Sequence, residues 1–247
     1  HLTFKSFRKD LIDVIKRARN AGLIAIINSS IDPKDFFKAL ELKKEYDNFI
    51  FVSLGAAPQT LDQAKYDATL EIIDKYHSEA VAIGEIGLDY YWVKEEEKRQ
   101  FTRKALDNLV SLAISYDKPI VIHNREATTD VLKILEKNEA ERVVFHSYMD
   151  NLENAKYIVS KGWYISIPVI IARSDHHRML VKKLELKNIM LETDSPYLSP
   201  IPRTRNEPSN IRISAEIISK IKNISIEKVA DITTQNAIDF FRLNVKR

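Results

Sequence analysis

The sequence predicts an α/β fold, a (β/α)₈ TIM barrel, and three observations favour it. The chain has 247 residues, the usual size of one such barrel. Short apolar runs alternate with longer amphipathic stretches along its length. Several of these runs end in His, Glu or Asp, where the strands of a barrel carry its catalytic groups. Residues 1–247 are therefore predicted to form a single domain.

Seven apolar runs are predicted to be parallel strands, because continuous Ile, Val and Phe suit strands covered on both faces. They are residues 23–28, 49–54, 80–86, 119–123, 142–146, 163–167 and 188–192. Helical patterns separate them. The clearest are residues 7–19, a helix that starts at Pro33 after Asp32, and residues 95–115. Further helices are predicted to start near residues 60, 129, 152, 175, 209 and 225.

A barrel needs eight strands, yet the first pattern in this chain is helical. We expect the first strand to lie upstream of His1, or to be missing before it. An open, doubly wound sheet is the alternative architecture. It is disfavoured because no Gly-rich phosphate loop follows any of the predicted strands.

Composition limits the classes of function. The net charge is +3, from 38 basic and 35 acidic residues, so contact with nucleic acid would need a local patch. The absence of cysteine excludes disulfides and Cys-based zinc sites. No apolar run reaches the length of a membrane span, so we expect no membrane contact and a cytoplasmic location. A monomer is expected because no long exposed apolar stripe stands out.

Four polar residues fall at the ends of predicted strands: Glu85, His123, His146 and Asp194. Because these ends meet at the mouth of a barrel, the four side chains should converge. A single His in such a place is more often a hydrogen-bonded barrel residue than a ligand. Four together favour a metal site, since imidazole and carboxylate suit Zn²⁺, Mn²⁺ or Co²⁺ and carboxylates also accept Mg²⁺. Such ions activate water for hydrolysis.

The segments around these residues resemble the TatD family of metal-dependent deoxyribonucleases, among the amidohydrolase-like barrels. They are residues 84–90 (GEIGLDY), 121–127 (VIHNREA), 191–198 (LETDSPYL) and 205–208 (RNEP). The resemblance extends over nearly the whole chain. It implies one to three divalent ions and hydrolysis of DNA phosphodiester bonds, in single strands or at 3′ ends, by metal-activated water.

The resemblance also implies residue roles. Glu85, His123, His146 and Asp194 would bind metal, with Glu85 and Asp194 also catalytic. His1 resembles the second His of the family's HxH pair and would be a further ligand, the alternative being a tag remnant.

Three further residues are assigned around these ligands. Arg125 and Arg205 would bind substrate phosphate. The alternatives are a salt bridge to Glu126 for Arg125 and a solvated loop charge for Arg205. Glu192, two residues before Asp194 and on the same strand face, is interpreted as a partner of a ligand and not as a ligand itself.

The chain departs from the family pattern at several places. Ala57 stands where the family carries a His, so one metal site is expected to be weaker or absent.

His176 and His177 are predicted to lie at a solvated helix start. The aromatic run of residues 90–92 would either stack bases or pack over the barrel rim.

Two other functions stay open from the sequence. One is an amidohydrolase-like enzyme that acts on a small ester, amide or lactone, because fold and ligands would be shared. The other is a catalytically weakened relative that binds nucleic acid or serves as a structural protein.

Overall fold

The computed structural model describes residues 1–245, and in them seven parallel strands form one sheet. The strands follow chain order across the sheet, so each pairs with the next in sequence. The strands are β1 Ile26–Ser30, β2 Ile50–Leu54, β3 Ala82–Asp89, β4 Ile120–Arg125, β5 Val143–Phe145, β6 Tyr164–Pro168 and β7 Ile189–Glu192. All seven predicted strands are thereby confirmed.

Helices fill the connections between strands, as the amphipathic stretches predict. They are α1 Leu11–Asn20, α2 Pro33–Glu45, α3 Gln63–Tyr76, α4 Glu96–Ser115, α5 Thr128–Lys137, α6 Leu152–Ser160, α7 Asp175–Lys183, α8 Ile211–Lys222 and α9 Ile226–Phe241. Asp32, Asp62 and Ser225 accept hydrogen bonds from backbone N–H groups in the first turns of α2, α3 and α9. These caps explain where those three helices begin. No helix within residues 1–245 combines the length and apolar character that crossing a membrane requires.

The main core lies between the sheet and the helices on its outer side. Strand residues such as Ile83 and Ile122 pack there with helix residues such as Leu109. Alternate strand residues point to the inner side, where a second buried cluster forms. This inner cluster combines aliphatic side chains and one methionine near the strand starts with two aromatic rings of α9; it contains Ala82, Val121, Val144, Met190, Phe240 and Phe241. Each fully buried large apolar side chain contributes about 1.5–3 kcal/mol to folding.

The sheet curls, so that its two edges approach each other at the carboxyl ends of the strands. His1 lies between them: its Nδ1 is 3.1 Å from the carbonyl oxygen of Ser29 on β1. Its Nε2 is 3.4 Å from Oδ1 of Asp194, which follows β7. A cavity of ≈690 Å³ extends from His1 between β1 and β7 to α8 and α9.

The cavity accounts for one difference from the prediction, at the start of β1. The first strand begins at Ile26 instead of residue 23, and residues 23–27 are only half-buried because they line the cavity. The eighth strand of the predicted barrel is not found within residues 1–245, where the sheet is a curled half-barrel of seven strands.

Candidate metal centre

Glu85 owes its position to an irregularity in β3. Gly84 pairs with Val121 and Ile86 pairs with Ile122, so Glu85 has no partner of its own on β4. An extra residue of this kind bends a strand and re-aims its side chain. The Glu85 side chain is buried, and its carboxylate lies between two imidazoles at the mouth of the half-barrel.

Five of the predicted ligands come together there as two overlapping groups of three. One group is Glu85, His123 and His146, and the other is His1, Glu85 and Asp194; in each, the donor atoms lie within 4.8 Å of one another. Glu85 Oε2 is 3.2 Å from His146 Nε2, and Oε1 is 3.5 Å from His1 Nε2. The two oxygens of one carboxylate therefore face different groups.

Each imidazole of the cluster has one nitrogen held by a partner and the other directed at a neighbouring donor. His1 Nδ1 contacts the carbonyl of Ser29 at 3.1 Å. His123 Nε2 contacts Asp89 Oδ2 at 2.9 Å, while its Nδ1 lies 3.3 Å from His146 Nε2. Such a partner fixes the ring orientation and selects which nitrogen is free to bind a cation.

Glu192 is the partner of His146, at 3.3 Å from its Nδ1. The carboxylate of Glu192 accepts hydrogen bonds from Ser166 Oγ, at 2.9 Å, and from the backbone N–H of Ser147. These bonds hold the carboxylate of Glu192 beside His146. Asp194 follows two residues later in the left-handed region, with φ of 52°.

Asp89 was not assigned a role from the sequence. It is 1% exposed and ends β3, four residues after Glu85 and so on the same face of the strand. Burial disfavours its ionised form, but His123, the Trp92 N–H and the nearby Arg125 lower the pKa of Asp89. Its place at the end of a buried strand was the signal that could have identified it.

Charge within the cluster is balanced by protonation. Burial disfavours the charged form of His146, but Glu85, Glu192 and Asp194 outweigh it and raise the pKa of His146 to about 10. Burial likewise opposes charge on His1, whose pKa Glu85 and Asp194 raise to about 9. Burial of Glu85 raises the pKa of its carboxyl group. The three imidazoles outweigh this effect, so the pKa of Glu85 is lowered. A cation bound here would take the place of the imidazole protons.

The two arginines predicted to bind phosphate have different surroundings. Arg125 is exposed at the end of β4, with its guanidinium carbon 3.7 Å from the centroid of the Tyr91 ring. Arg205 instead forms a two-pronged ion pair with Asp10, at 2.7 and 2.6 Å, and donates to the carbonyl of Ser6. Arg205 thus ties the loop after β7 to the segment before α1.

Other expectations are met in part. His176 and His177 do lie at the start of α7, but His177 is fully buried, with Nδ1 2.8 Å from Ser174 Oγ. The expectation that it is solvated is wrong, because the first turn of α7 packs it inward. Tyr90 packs on the rim and donates its hydroxyl hydrogen bond to Asp130, whereas the next two aromatic residues are exposed.

The comparisons with known proteins decide the family. A sequence profile described as TatD related DNase matches residues 1–242. The chain belongs to this family. Deoxyribonuclease TATDN3 of Homo sapiens is 35% identical over 252 residues, covering 98% of this chain and 92% of that protein. An uncharacterized metal-dependent hydrolase of Methanocaldococcus jannaschii is 37% identical, covering 98% and 94%.

The fold agrees with this membership of the TatD family. The crystal structure of YjjV, a TatD homologue from Escherichia coli, superposes with a TM-score of 0.87 at 24% identity, covering 98% of this chain and 95% of that one. This likeness shows the fold alone. The sequence resemblance to the TatD family is confirmed, and relatives of this chain are named metal-dependent hydrolases.

Proposed function

We propose that this TatD-family protein is a deoxyribonuclease that uses divalent cations to hydrolyse phosphodiester bonds in single-stranded DNA or at 3′ ends. The observation that carries the proposal is the position of the Glu85 carboxylate. Each of its two oxygens faces a different group of donors. A paired arrangement of this kind suits a phosphodiester, because both the attacking and the leaving oxygen need stabilisation. The human relative is named a deoxyribonuclease, which supports the choice of DNA.

The donor atoms fit a divalent cation. Nitrogen and carboxylate donors lie about 2.0–2.2 Å from Zn²⁺, so donors in a tetrahedral arrangement are about 3.4 Å apart. The separations from Glu85 to His1 and His146 are 3.5 and 3.2 Å. Two imidazoles and a shared carboxylate accommodate Zn²⁺, Mn²⁺ or Co²⁺, and the second group, with two carboxylates, also accommodates Mg²⁺.

Each residue then has a defined role. Glu85, His123, His146, His1 and Asp194 would hold one to three cations, which when bound would acidify water and neutralise phosphate charge. Asp194 would accept a proton from the attacking water, since it lies at the open mouth and is only partly buried. Glu192 and Asp89 would fix the rings of His146 and His123.

The barrel would be completed by an eighth strand in the cavity between β1 and β7. Such a strand would be parallel to β1 and β7 and would extend from the α9 side of the cavity toward the mouth. It would reach His1, which already contacts both edges of the sheet. A peptide of about five apolar, β-branched residues that pairs with β1 and β7 should then raise the melting temperature. A peptide that leaves the melting temperature unchanged would count against closure.

The same cavity, if it stayed open instead of holding the eighth strand, would favour a second candidate function. It adjoins His1, Glu85 and Asp194 and is otherwise lined largely by apolar side chains of β1, α8 and α9. Such a pocket suits a small ester or lactone. Activity on these compounds without activity on DNA would select this alternative.

The test of the proposed function is cleavage of end-labelled single-stranded DNA with Mg²⁺, Mn²⁺, Co²⁺ or Zn²⁺, and with a chelator as control. Glu85→Gln should abolish cleavage, because both groups of donors lose their shared ligand. Glu71→Gln, on the exposed face of α3, is the matched control and should retain it. Metal-dependent products that persist in Glu85→Gln would refute the assignment. Bound cations without cleavage would indicate a catalytically weakened relative.

A cytoplasmic location and a monomeric state remain predictions. So does the phosphate contact of Arg205, which would require the side chain to leave its ion pair with Asp10.

A further inference from the structure

Two exposed aromatic side chains stand on the rim of the mouth, outside the metal centre. Tyr91 and Trp92 follow β3 after Tyr90 and are 40% and 62% exposed. Their rings pack edge to face with centroids 5.0 Å apart. Because Trp is a large apolar residue that is usually mostly buried, an exposed pair of this kind is typical of a binding surface.

The same carboxylate fixes this turn and the metal centre. Asp89 Oδ1 accepts a hydrogen bond from the backbone N–H of Trp92 at 3.0 Å. Asp89 Oδ2 contacts His123 Nε2 at 2.9 Å. The backbone of Trp92 is therefore tied to the carboxylate that also contacts the candidate ligand His123, so the turn that carries the two rings adjoins the metal centre.

Two positive charges lie over the Tyr91 ring. The guanidinium of Arg125 lies over Tyr91, with its carbon 3.7 Å from the ring centroid, and Lys94 Nζ is 5.3 Å from the same centroid. Arg125 is two residues after His123 on β4, so both side chains leave the same face of the strand. Residues Tyr91, Trp92, Lys94 and Arg125 together form what we call the aromatic rim.

We propose that the aromatic rim binds the nucleotide next to the bond that is cleaved, with its base stacked on Trp92 and its phosphate on Arg125. This inference rests on the proposed nuclease function and specifies how its substrate is held. Stacking accepts every base, because each has a π face, so little sequence preference is expected. It also favours single strands, in which bases are free to leave their neighbours.

Binding can be measured without cleavage, since the chain has only two tryptophans. Trp163 is 3% exposed and its indole N–H bonds to the carbonyl of Ala140, so it serves as a constant background. With a chelator present, an oligothymidylate should quench the fluorescence of Trp92. An abasic oligonucleotide of equal length and charge should not, and Trp92→Phe should remove the quenching. Equal quenching by the abasic strand, or none by oligothymidylate, would overturn the proposal.

Kinetics provide a second test. Trp92→Ala should raise KM for single-stranded DNA about tenfold while kcat stays within about twofold, because stacking contributes to binding and not to the chemical step. Phe37→Ala is the matched control: Phe37 is a 53% exposed aromatic residue on α2, and its loss should change neither constant. An unchanged KM in Trp92→Ala would refute the stacking role.

The outcomes separate this inference from the function on which it rests. Metal-dependent cleavage with no role for Trp92 would leave the nuclease assignment intact and remove the aromatic rim. Base-dependent quenching without cleavage under any cation would retain the rim as a DNA-binding surface and remove the nuclease assignment.

Discussion

Gly87 controls the spacing between β3 and β4 at the metal centre. It pairs with His123 in the parallel register, and a Cβ atom built on Gly87 would lie 1.8 Å from the carbonyl oxygen of His123. The Cα of His123 would be only 3.0 Å away. The backbone of a metal-ligand candidate therefore leaves no room for a methyl group, and Gly87→Ala must displace His123 or β3.

The size of the displacement follows from the contact. Restoring a tolerable separation of about 3 Å from 1.8 Å requires a movement of about 1.2 Å at His123. A misplacement of about 1 Å near a reacting group reduces activity about 100-fold. Crowding a packed region costs about 1–3 kcal/mol of folding free energy, and each kcal/mol lowers the melting temperature of a protein this size by about 2–4 °C.

We therefore expect Gly87→Ala to lose about 100-fold in kcat/KM while remaining folded. The assays are metal-dependent hydrolysis, calorimetric titration with Zn²⁺ or Mn²⁺, and thermal unfolding. Gly162→Ala is the control, because its Cβ would meet nothing within 4 Å, although its φ of 79° adds strain. That variant should lose some stability and keep its activity. A Gly87→Ala protein with normal cation affinity and turnover would refute the argument.

Three further predictions concern the cluster and its surroundings. Asp89→Asn should weaken cation binding about 10- to 100-fold in a titration, because the imidazole that Asp89 orients becomes free to turn; unchanged affinity would exclude this role. In chelator-treated protein, protonated His1 and His146 contribute to the free energy of unfolding. This contribution is complete below about pH 6.5, the pKa of histidine in the unfolded chain, and is lost as the pH rises through the folded-state pKa values of about 9 and 10. The melting temperature should then fall over that range, and cation binding near neutral pH should release protons; stability that rises instead would contradict the pKa directions. Arg125→Ala should raise KM for DNA, and Arg205→Ala should lower the melting temperature because its ion pair with Asp10 is lost; an unchanged KM in either variant would count against the predicted phosphate contact of that arginine.

The strands and the convergence of the cluster were predictable from the sequence for one physical reason. Parallel strands covered on both sides must be apolar throughout, so a charged or imidazole side chain at the end of a run marks the mouth. Glu85, His123, His146 and Asp194 were found in this way. The role of Asp89 and the cavity beside β1 were not predicted, because the surroundings of both depend on contacts between distant segments. The partner of His123 follows from the register of β3 against β4, including the irregularity at Glu85.

The two groups of donors differ in how they depend on the fold. Glu85, His123 and His146 belong to or follow β3, β4 and β5, which are neighbours in the sheet and hold these side chains by their own pairing. His1 and Asp194 instead meet beside the cavity between β1 and β7. A cation bound to the second group would therefore join the two edges of the sheet, and part of its binding free energy would be spent on ordering them. It follows that the first group is the more preorganised of the two, and that the occupancy of the second is coupled to closure of the sheet.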